Sequence, residues 1–291
     1  MSVKMMKTGE KRMNKKWMAT GSIAAMAMMV AACGGGTTNT PDNAPNNTNT
    51  GSNGGNEPTE QASKIILGTS ADYAPFEFHK TIDGVDTIVG IDIELAKEIA
   101  KDMNAELEIQ DIDFDGLLMA LNSNKVDMVI SALSATDERR ENFLLSDVYY
   151  KATQAVLVSA DQAEQFTSVE DLEGKRIGIQ MGSIQEGIAQ EIEGANLTAL
   201  GKIPELILEL SSGRVDAVIL ETPVAEQYEI AQEGLVISNV EIAPEDDDGF
   251  SVAVKLGEDE LMNSINATIE RLIEAGEIDR FVVEANELLG E

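Results

Sequence analysis

The sequence predicts an α/β protein of two lobes, in which each lobe is a mostly parallel sheet flanked by helices. Short apolar segments typical of buried strands alternate with stretches that carry apolar residues at helical spacing. This alternation occurs in two successive sets, with a break near Tyr149 to Lys151. Polar and aromatic residues gather after the strands, where open parallel sheets bind ligands. The pattern therefore favours two sheets that face each other across a ligand cleft.

The first set of elements lies before the break. Strands are predicted at 65–69, 107–109 and 126–130, where apolar residues cluster or alternate. Helices are predicted at 91–100 and 117–121, where the apolar residues recur at helical spacing. This part forms the sheet of the first lobe.

The second set repeats this build after the break. Strands are predicted at 176–180 and 215–220, and a helix begins at Ile184, directly after Gly182 and Ser183. We expect the first lobe to comprise 62–152 plus 246–291 and the second to comprise 153–245. Two hinge crossings, near Lys151 and Asp248, would join them.

The N-terminal residues carry the pattern of a secretory signal peptide. A basic stretch leads into an apolar run at 23–30, which is too short for a membrane-spanning helix. The segment Val30-Ala31-Ala32-Cys33-Gly34 resembles the lipobox of bacterial lipoproteins, so residues 1–32 are expected to be cleaved and Cys33 to be lipidated. Because Cys33 is the single cysteine of the chain, no internal disulfide can form.

A polar tether is predicted to follow Cys33. Residues 33–61 consist mostly of Gly, Asn, Thr, Pro and Ser and show no apolar periodicity. A flexible chain of this length spans roughly 30 Å. The globular part would therefore stand clear of the membrane surface.

The charge balance narrows the classes of partner. The chain has 21 Lys+Arg against 52 Asp+Glu, and its formal net charge is −31. Six of the basic residues lie in the predicted signal peptide, so the mature chain is still more acidic. Such a polyanion repels nucleic acid, and no nucleic-acid partner is expected.

A strand-to-helix turn at 131–140 places an arginine where it can hold a small anion. Asp137 and Glu138 fit the first turn of a helix, whose N-terminal N–H groups attract a carboxylate. Arg139 would add a bidentate clamp on the same anion. In the alternative interpretation, Arg139 and Arg140 pair with neighbouring glutamates on a solvated helix face.

Candidate contacts recur at the ends of the other predicted strands. Arg139 and N–H groups near Ser134 and Ile184 would take a carboxylate, and Glu221 would take an ammonium group. Glu221 could instead assist the start of the helix that contains Pro223. The strand-end segments are Ser70 to Phe76, Phe114, Ser131 to Arg139, Gln180 to Ile184, and Glu221.

Two acidic segments fail as calcium loops. The run from Asp111 to Gly116 begins like an EF-hand, but its twelfth position is Asn122, where a bidentate Glu is required. The run 246–249 fails at both ends, with Pro244 and Lys255 at ligand positions. No metal site and no cofactor are therefore predicted.

Four motifs, taken together, resemble the type II periplasmic binding proteins of polar amino-acid ABC importers. This group includes the histidine-, lysine/arginine/ornithine- and glutamine-binding proteins. The resemblance begins near residue 64 and extends to the C-terminus. The motifs are Ala71-Asp72-Tyr73-Ala74-Pro75-Phe76-Glu77-Phe78, Val89-Gly90-Ile91-Asp92-Ile93-Glu94-Leu95-Ala96, Ser131 to Arg139 with Phe143-Ser146-Tyr149-Tyr150, and Gly174 to Gln180 with Gly182-Ser183-Ile184-Gln185-Glu186.

This resemblance implies the type II periplasmic-binding-protein fold and a role for each site residue. Arg139 would clamp the ligand carboxylate with help from the Ser134 N–H, and Glu221 would bind the α-ammonium. Ala132 would offer a backbone carbonyl. Ile184 stands where relatives often have Thr, which leaves its N–H or Ser183 as the contact.

The residues that would contact the ligand side chain follow less directly from the resemblance. Tyr73 and Phe114 correspond to the aromatic pair that encloses the ligand side chain, with Phe76 beside them. Ser70 stands where several relatives have Asp or Glu, so a salt bridge there is in doubt, although Asp72 or Asp92 could add negative charge. Cation–π contact with the aromatic pair still favours a basic amino acid such as arginine, slightly ahead of a polar neutral one such as glutamine.

The predicted function is that of a monomeric solute-binding lipoprotein for an ABC importer. It would capture a free amino acid at the outer face of a Gram-positive bacterial cell membrane and deliver it to the permease. Two alternatives stay open: a dehydratase of the same fold acting on prephenate or arogenate, and a ligand-sensing module for a receptor. The enzyme is disfavoured because the single histidine, His79, is expected in a solvated loop and no catalytic triad is apparent.

Overall fold

A computed structural model describes residues 63–243 and 249–290. The predicted signal peptide, Cys33 and the tether lie outside the described residues, as does Asp248 at the second predicted crossing. Within the described ranges, no helix is long and apolar enough to cross a membrane.

Strands and helices alternate along the described chain. The strands are β1 (Ser63–Thr69), β2 (Asp72–Tyr73), β3 (Glu77–Ile82), β4 (Val85–Val89), β5 (Ala105–Asp111), β6 (Met128–Val129), β7 (Phe143–Leu145), β8 (Tyr150–Lys151), β9 (Gln154–Ser159), β10 (Arg176–Gln180), β11 (Asn196–Leu200), β12 (Ala217–Glu221), β13 (Leu235–Ile237), β14 (Gly249–Phe250) and β15 (Ala253–Lys255). The helices are α1 (Ile91–Asp102), α2 (Phe114–Asn122), α3 (Asp137–Asn142), α4 (Ile184–Gln190), α5 (Ile203–Ser211), α6 (Thr222–Ala231), α7 (Asp259–Ala275) and α8 (Glu277–Gly290), with 3₁₀ turns at Ala163–Gln165 and Val169–Leu172.

The two five-stranded sheets have the same build. The first has the order β5-β1-β6-β15-β7 and the second the order β11-β10-β12-β9-β13. In each sheet the first three strands are parallel and the fourth is antiparallel to both of its neighbours. The predicted fold class, two lobes with mostly parallel sheets, is therefore confirmed.

Two short strands lie together where the chain passes between the sheets. Strand β8 comes just after β7, where the chain leaves the first sheet. Strand β14 comes just before β15, where the chain returns to that sheet. The two pair antiparallel, with Gly249 opposite Lys151 and Phe250 opposite Tyr150. This ribbon lies at the predicted hinge crossing near Lys151, and the lobe boundaries stay a prediction.

Some elements differ from their predicted form. The strand predicted at 126–130 is only two residues long, Met128–Val129. Phe114 begins α2 instead of ending a strand. His79 lies in β3 rather than in a loop, and its ring contacts the carboxylates of Asp86 and Asp111.

Helix α1 illustrates how the sequence fixes one of these elements. Its apolar side chains pack into the core of the first lobe, and the helix begins at Gly90, whose φ is +128°. A Cβ at Gly90 would lie 2.2 Å from the carbonyl oxygen of Phe76. Only glycine therefore permits the tight approach that brings the start of α1 beneath the site.

Candidate functional site

A small cavity lies between the two sheets, at the carboxyl ends of their strands. Both lobes contribute to its wall. The lining residues are Tyr73, Phe114, Ser131, Ala132, Ser134, Arg139, Gln180, Ser183, Ile184, Gln185 and Glu221. Of the predicted site residues, Ser70, Phe76 and Asp92 are not in this wall.

Among the described residues, Arg139 is the one cationic side chain in the cavity wall. Its guanidinium donates hydrogen bonds to the carbonyl oxygens of Ser134 at 2.7 Å and of Gly182 at 3.1 Å, and lies 5.8 Å from the ring centre of Phe114. Burial lowers the pKa of Arg139 to about 10, against the opposing effect of Glu138. The group therefore stays protonated at neutral pH, in a place where it has been stripped of water. Since a guanidinium has five N–H donors, others can still take a carboxylate.

The N-terminus of α3 is less open to an anion than the sequence suggests. The hydroxyl of Thr136 accepts the N–H of Arg139 at 3.3 Å and so caps the helix with the chain's own side chain. Ser134 forms an isolated bridge with Phe250, in which the amides of Ala135 and Ser251 donate the two hydrogen bonds. These two bonds do not use the Ser134 N–H, so Arg139 and Ser134 replace the helix end as the expected carboxylate contacts.

Glu221 lies at the end of β12 and is only 3% exposed. It immediately precedes α6, but its side chain makes no capping hydrogen bond to that helix. Its backbone N–H donates to the hydroxyl of Tyr73 in the other lobe at 3.4 Å. The structure therefore favours a carboxylate in the cavity wall over the helix-capping alternative.

The three predicted aromatic contacts occupy different environments. Tyr73 and Phe114 line the cavity, although Phe114 also lies against Arg139. Phe76 is fully buried and packs edge-on against Tyr150 and Phe250, each with ring centres 5.1 Å apart. Phe76 thus belongs to the core, as aromatics after strands commonly do, and its contact with a ligand stays a prediction.

The second lobe contributes the end of β10 and the start of α4. Gln180 and Ser183 line the cavity, and the Ser183 hydroxyl donates to the Gln180 carbonyl at 2.7 Å. Sequence reasoning missed Gln185, which is buried in the wall and donates to the side chain of Gln154 at 2.8 Å. Its position in the first turn after Ile184 was the available signal, since that turn faces the strand ends.

Comparison with known proteins decides the family. The model of the bacterial extracellular solute-binding proteins, family 3, matches residues 65–284. The chain belongs to this family. The solute-binding protein is 35% identical to the arginine-binding extracellular protein ArtP of Bacillus subtilis over 269 residues, 91% of this chain and 96% of the relative. It is 29% identical to the lysine/arginine/ornithine-binding periplasmic protein of Escherichia coli over 74% of this chain and 85% of the relative.

A solved structure supports the same assignment. The amino acid ABC transporter substrate-binding protein AbpA from Streptococcus pneumoniae, bound to L-arginine, is 39% identical to this solute-binding protein. The similarity covers 79% of this chain and 97% of that chain, with a TM-score of 0.76. The family and these neighbours are transport binding proteins rather than enzymes.

Ser70 and Asp92 lie behind the wall of the solute-binding protein's cavity rather than in it. The carboxylate of Asp92 is fully buried and accepts the N–H of Ala132 at 2.7 Å and the hydroxyl of Tyr149 at 2.8 Å. The N–H of Ser70 donates to the hydroxyl of Ser131 at 3.1 Å. Ser70 and Asp92 thus support residues that line the cavity, and their own contacts with a ligand stay predictions.

A second buried carboxyl group completes this support. The Ser131 hydroxyl donates to Glu77 at 2.5 Å, and Glu77 is fully buried beside Asp92. Burial is the main cause that raises the pKa of Glu77 well above its usual value, with repulsion by Asp92 next. Burial also raises the pKa of Asp92 to about 6. The pair therefore favours holding a shared proton.

The buried hydrogen bonds of Asp92 hold the backbone of Ala132 in place. Its φ is +44°, in the left-handed region that residues with a side chain rarely adopt. Such a conformation persists only where surrounding contacts impose it, and the bond from the Ala132 N–H to Asp92 is such a contact. Asp92 thus fixes the direction of a backbone segment in the cavity wall of the solute-binding protein.

Proposed function

We propose that the chain captures free arginine outside the cytoplasmic membrane and delivers it to an ABC importer. The observation that carries this proposal is the cavity between the lobes, whose wall contains the cation Arg139 and the buried carboxylate Glu221. A zwitterionic α-amino acid presents the complementary pair of charges. A relative named as arginine-binding and a neighbour solved with bound L-arginine support the choice of side chain.

Each end of the ligand has a proposed partner. Arg139 and the Ser134 N–H would bind the α-carboxylate, and Glu221 would bind the α-ammonium. The guanidinium of the ligand would lie against Tyr73 and Phe114, where cation–π contact contributes roughly 0.5–2 kcal/mol. An acidic ligand is disfavoured, because the part of the chain that the structure describes places no second cation in the cavity wall.

Transport requires that the permease recognises the loaded protein. We propose hinge closure about the β8–β14 ribbon, in which a ligand that contacts both lobes stabilises the closed state. The cavity wall supports this mechanism, since Arg139 comes from one lobe and Glu221 from the other. The permease would then distinguish the closed from the open arrangement.

An enzymatic role has less support. The cavity wall holds no histidine, cysteine or lysine among the described residues, and Glu221 would have to act alone as acid or base. The neighbours are transport binding proteins. We therefore propose binding without chemistry. Product formation from prephenate or arogenate would support the dehydratase instead.

We propose that the N-terminal part of the chain anchors the protein to the membrane. Cleavage before Cys33 and lipidation of its thiol would leave residues 33–61 as a tether. We expect the wild-type chain to fractionate with membranes and the Cys33→Ala variant to appear in the soluble fraction, as measured by immunoblot of both fractions. Unchanged membrane association of the variant would contradict the lipid anchor.

A thermal-shift panel of the standard amino acids tests the ligand. In the full chain carrying Cys33→Ala, arginine at 100 times its Kd should stabilise the folded state by about 2.7 kcal/mol. For a protein of this size, this corresponds to a shift of several degrees in Tm. A larger response to glutamine or histidine would replace arginine as the ligand. The absence of any response in the panel would reject amino-acid capture.

A further inference from the structure

Outside the ligand cavity, the lobes meet at the connection between β11 and α5. This connection belongs to the second lobe and consists of Gly201 and Lys202, directly before Ile203 at the start of α5. It faces Asp72 at β2, Asp111 at the end of β5 and Asp113 before α2, all in the first lobe. Asp72, Asp111, Asp113 and Lys202 do not line the ligand cavity.

Helix α5 takes its N-terminal cap from the other lobe. Its N-cap residue is Lys202, which provides no side-chain cap, and Pro204 occupies the first turn. The carboxylate of Asp72 accepts the Ile203 N–H at 2.9 Å and so occupies the positive end of this nine-residue helix. Separation of the lobes would remove the cap and leave that N–H to water.

Lys202 lies between two carboxylates of the facing lobe. Its Nζ is 3.2 Å from Asp113 and 3.4 Å from Asp111. Burial acts to lower the pKa of Lys202, but the three facing aspartates, Asp72 first, prevail and raise it. The lysine is therefore fully charged where the lobes touch.

The position of this lysine is notable because cations are scarce in the second lobe. The basic residues between 153 and 243 are Lys175, Arg176, Lys202 and Arg214. Arg176 pairs with Asp216, Arg214 pairs with Glu209, and Lys175 lies over the ring of Phe166, all within the same lobe. Lys202 is the member of the four whose ion pairs cross to the first lobe.

We propose that Asp72, Asp111, Asp113 and Lys202 form a latch that holds a fraction of the ligand-free molecules closed and thereby sets ligand affinity. The affinity part rests on the proposed function. Both lobes are rich in acidic residues, so closure has to overcome repulsion, and the latch supplies opposite charge at the point of contact. An observed Kd is inversely proportional to the fraction of protein in the competent closed state, so a latch that raises this fraction strengthens binding without touching the ligand.

The binding experiment uses Lys202→Met in the full chain carrying Cys33→Ala. We expect the Kd for L-arginine to rise roughly three- to tenfold through faster dissociation, as the loss of ion pairs that are only partly shielded from solvent predicts. Lys97→Met is the matched control, because Lys97 pairs with Glu94 within α1. Its Kd should stay within about twofold of wild type.

The salt dependence of the Kd provides a second test of the latch. Raising the salt from about 0.1 M to about 1 M shortens the screening length from roughly 10 Å to 3 Å. The Kd of the wild type should rise more than that of Lys202→Met. An equal salt response of both proteins, together with an unchanged Kd in the variant, would overturn the role of the latch in affinity.

A measurement on the ligand-free protein tests the latch independently of the proposed function. Hydrogen exchange of the peptide that contains the Ile203 amide should be several-fold faster in ligand-free Asp72→Ala than in ligand-free wild type, because the amide loses its acceptor. Equal exchange in both would show that the lobes do not latch without ligand. If arginine fails to bind the wild type, the proposed function fails, while this exchange comparison still decides the latch.

Discussion

Arg139→Ala should weaken arginine binding by about 2–5 kcal/mol, which raises the Kd roughly 30- to 5000-fold. The cost is large because the ligand carboxylate would be buried in the cavity without its charged partner. Isothermal titration with L-arginine measures the change. Arg140→Ala is the control, since Arg140 is exposed beside Arg139 and its loss changes the net charge equally.

Agmatine, an arginine analogue without the carboxylate, tests whether the lost affinity comes from the contact between Arg139 and that carboxylate. Agmatine should bind the wild type weakly and bind Arg139→Ala within about threefold of that value, because it has no group for Arg139 to clamp. Thermal unfolding without ligand checks that the variant still folds after it loses the bonds to Ser134 and Gly182. An equal loss for arginine and agmatine would show that Arg139 supports the fold rather than the carboxylate.

Asp92→Asn should change how stability depends on pH. In the folded protein, burial raises the pKa of Asp92 from 3.8 to about 6. Between these two values the folded state therefore binds more protons than the unfolded state, so the contribution of Asp92 to the free energy of unfolding falls as the pH rises. Between about pH 4 and pH 7, the wild type should lose roughly 2 kcal/mol relative to the variant.

Urea denaturation at several pH values measures this difference. Glu77 acts in the same direction, because its pKa is also raised and Asp92 contributes to that shift. Asp279→Asn is the control, since Asp279 is exposed on α8 and its replacement should leave the wild-type pH profile in place. Parallel profiles of wild type and Asp92→Asn would contradict a buried, proton-sharing pair beneath Ala132.

The sequence predicted the parts of the structure that depend on local patterns of apolar residues. Strand β10 has the predicted bounds, 176–180, because Ile177 and Ile179 give the apolar alternation of a strand. The rule that ligands bind at strand ends directed attention to Tyr73, Arg139 and Glu221, and the structure brings these three into one cavity wall. Their roles in binding stay a prediction.

Long-range contacts explain what the sequence did not reveal. Asp92 points into the core because its partners, Ala132 and Tyr149, lie 40 and 57 residues away and only the fold brings them together. The same holds for Lys202, whose carboxylate partners belong to the other lobe. Phe76 became a core residue for the same reason, since Tyr150 and Phe250 of the hinge enclose it.

A crystal structure of the protein with L-arginine tests the central claim most directly. We predict the ligand in the cavity between the lobes, with its α-carboxylate on the Arg139 guanidinium and its α-ammonium on the Glu221 carboxylate. The ligand guanidinium should lie against Tyr73 and Phe114. Arginine bound elsewhere, or in this cavity with its carboxylate away from Arg139, would contradict the account.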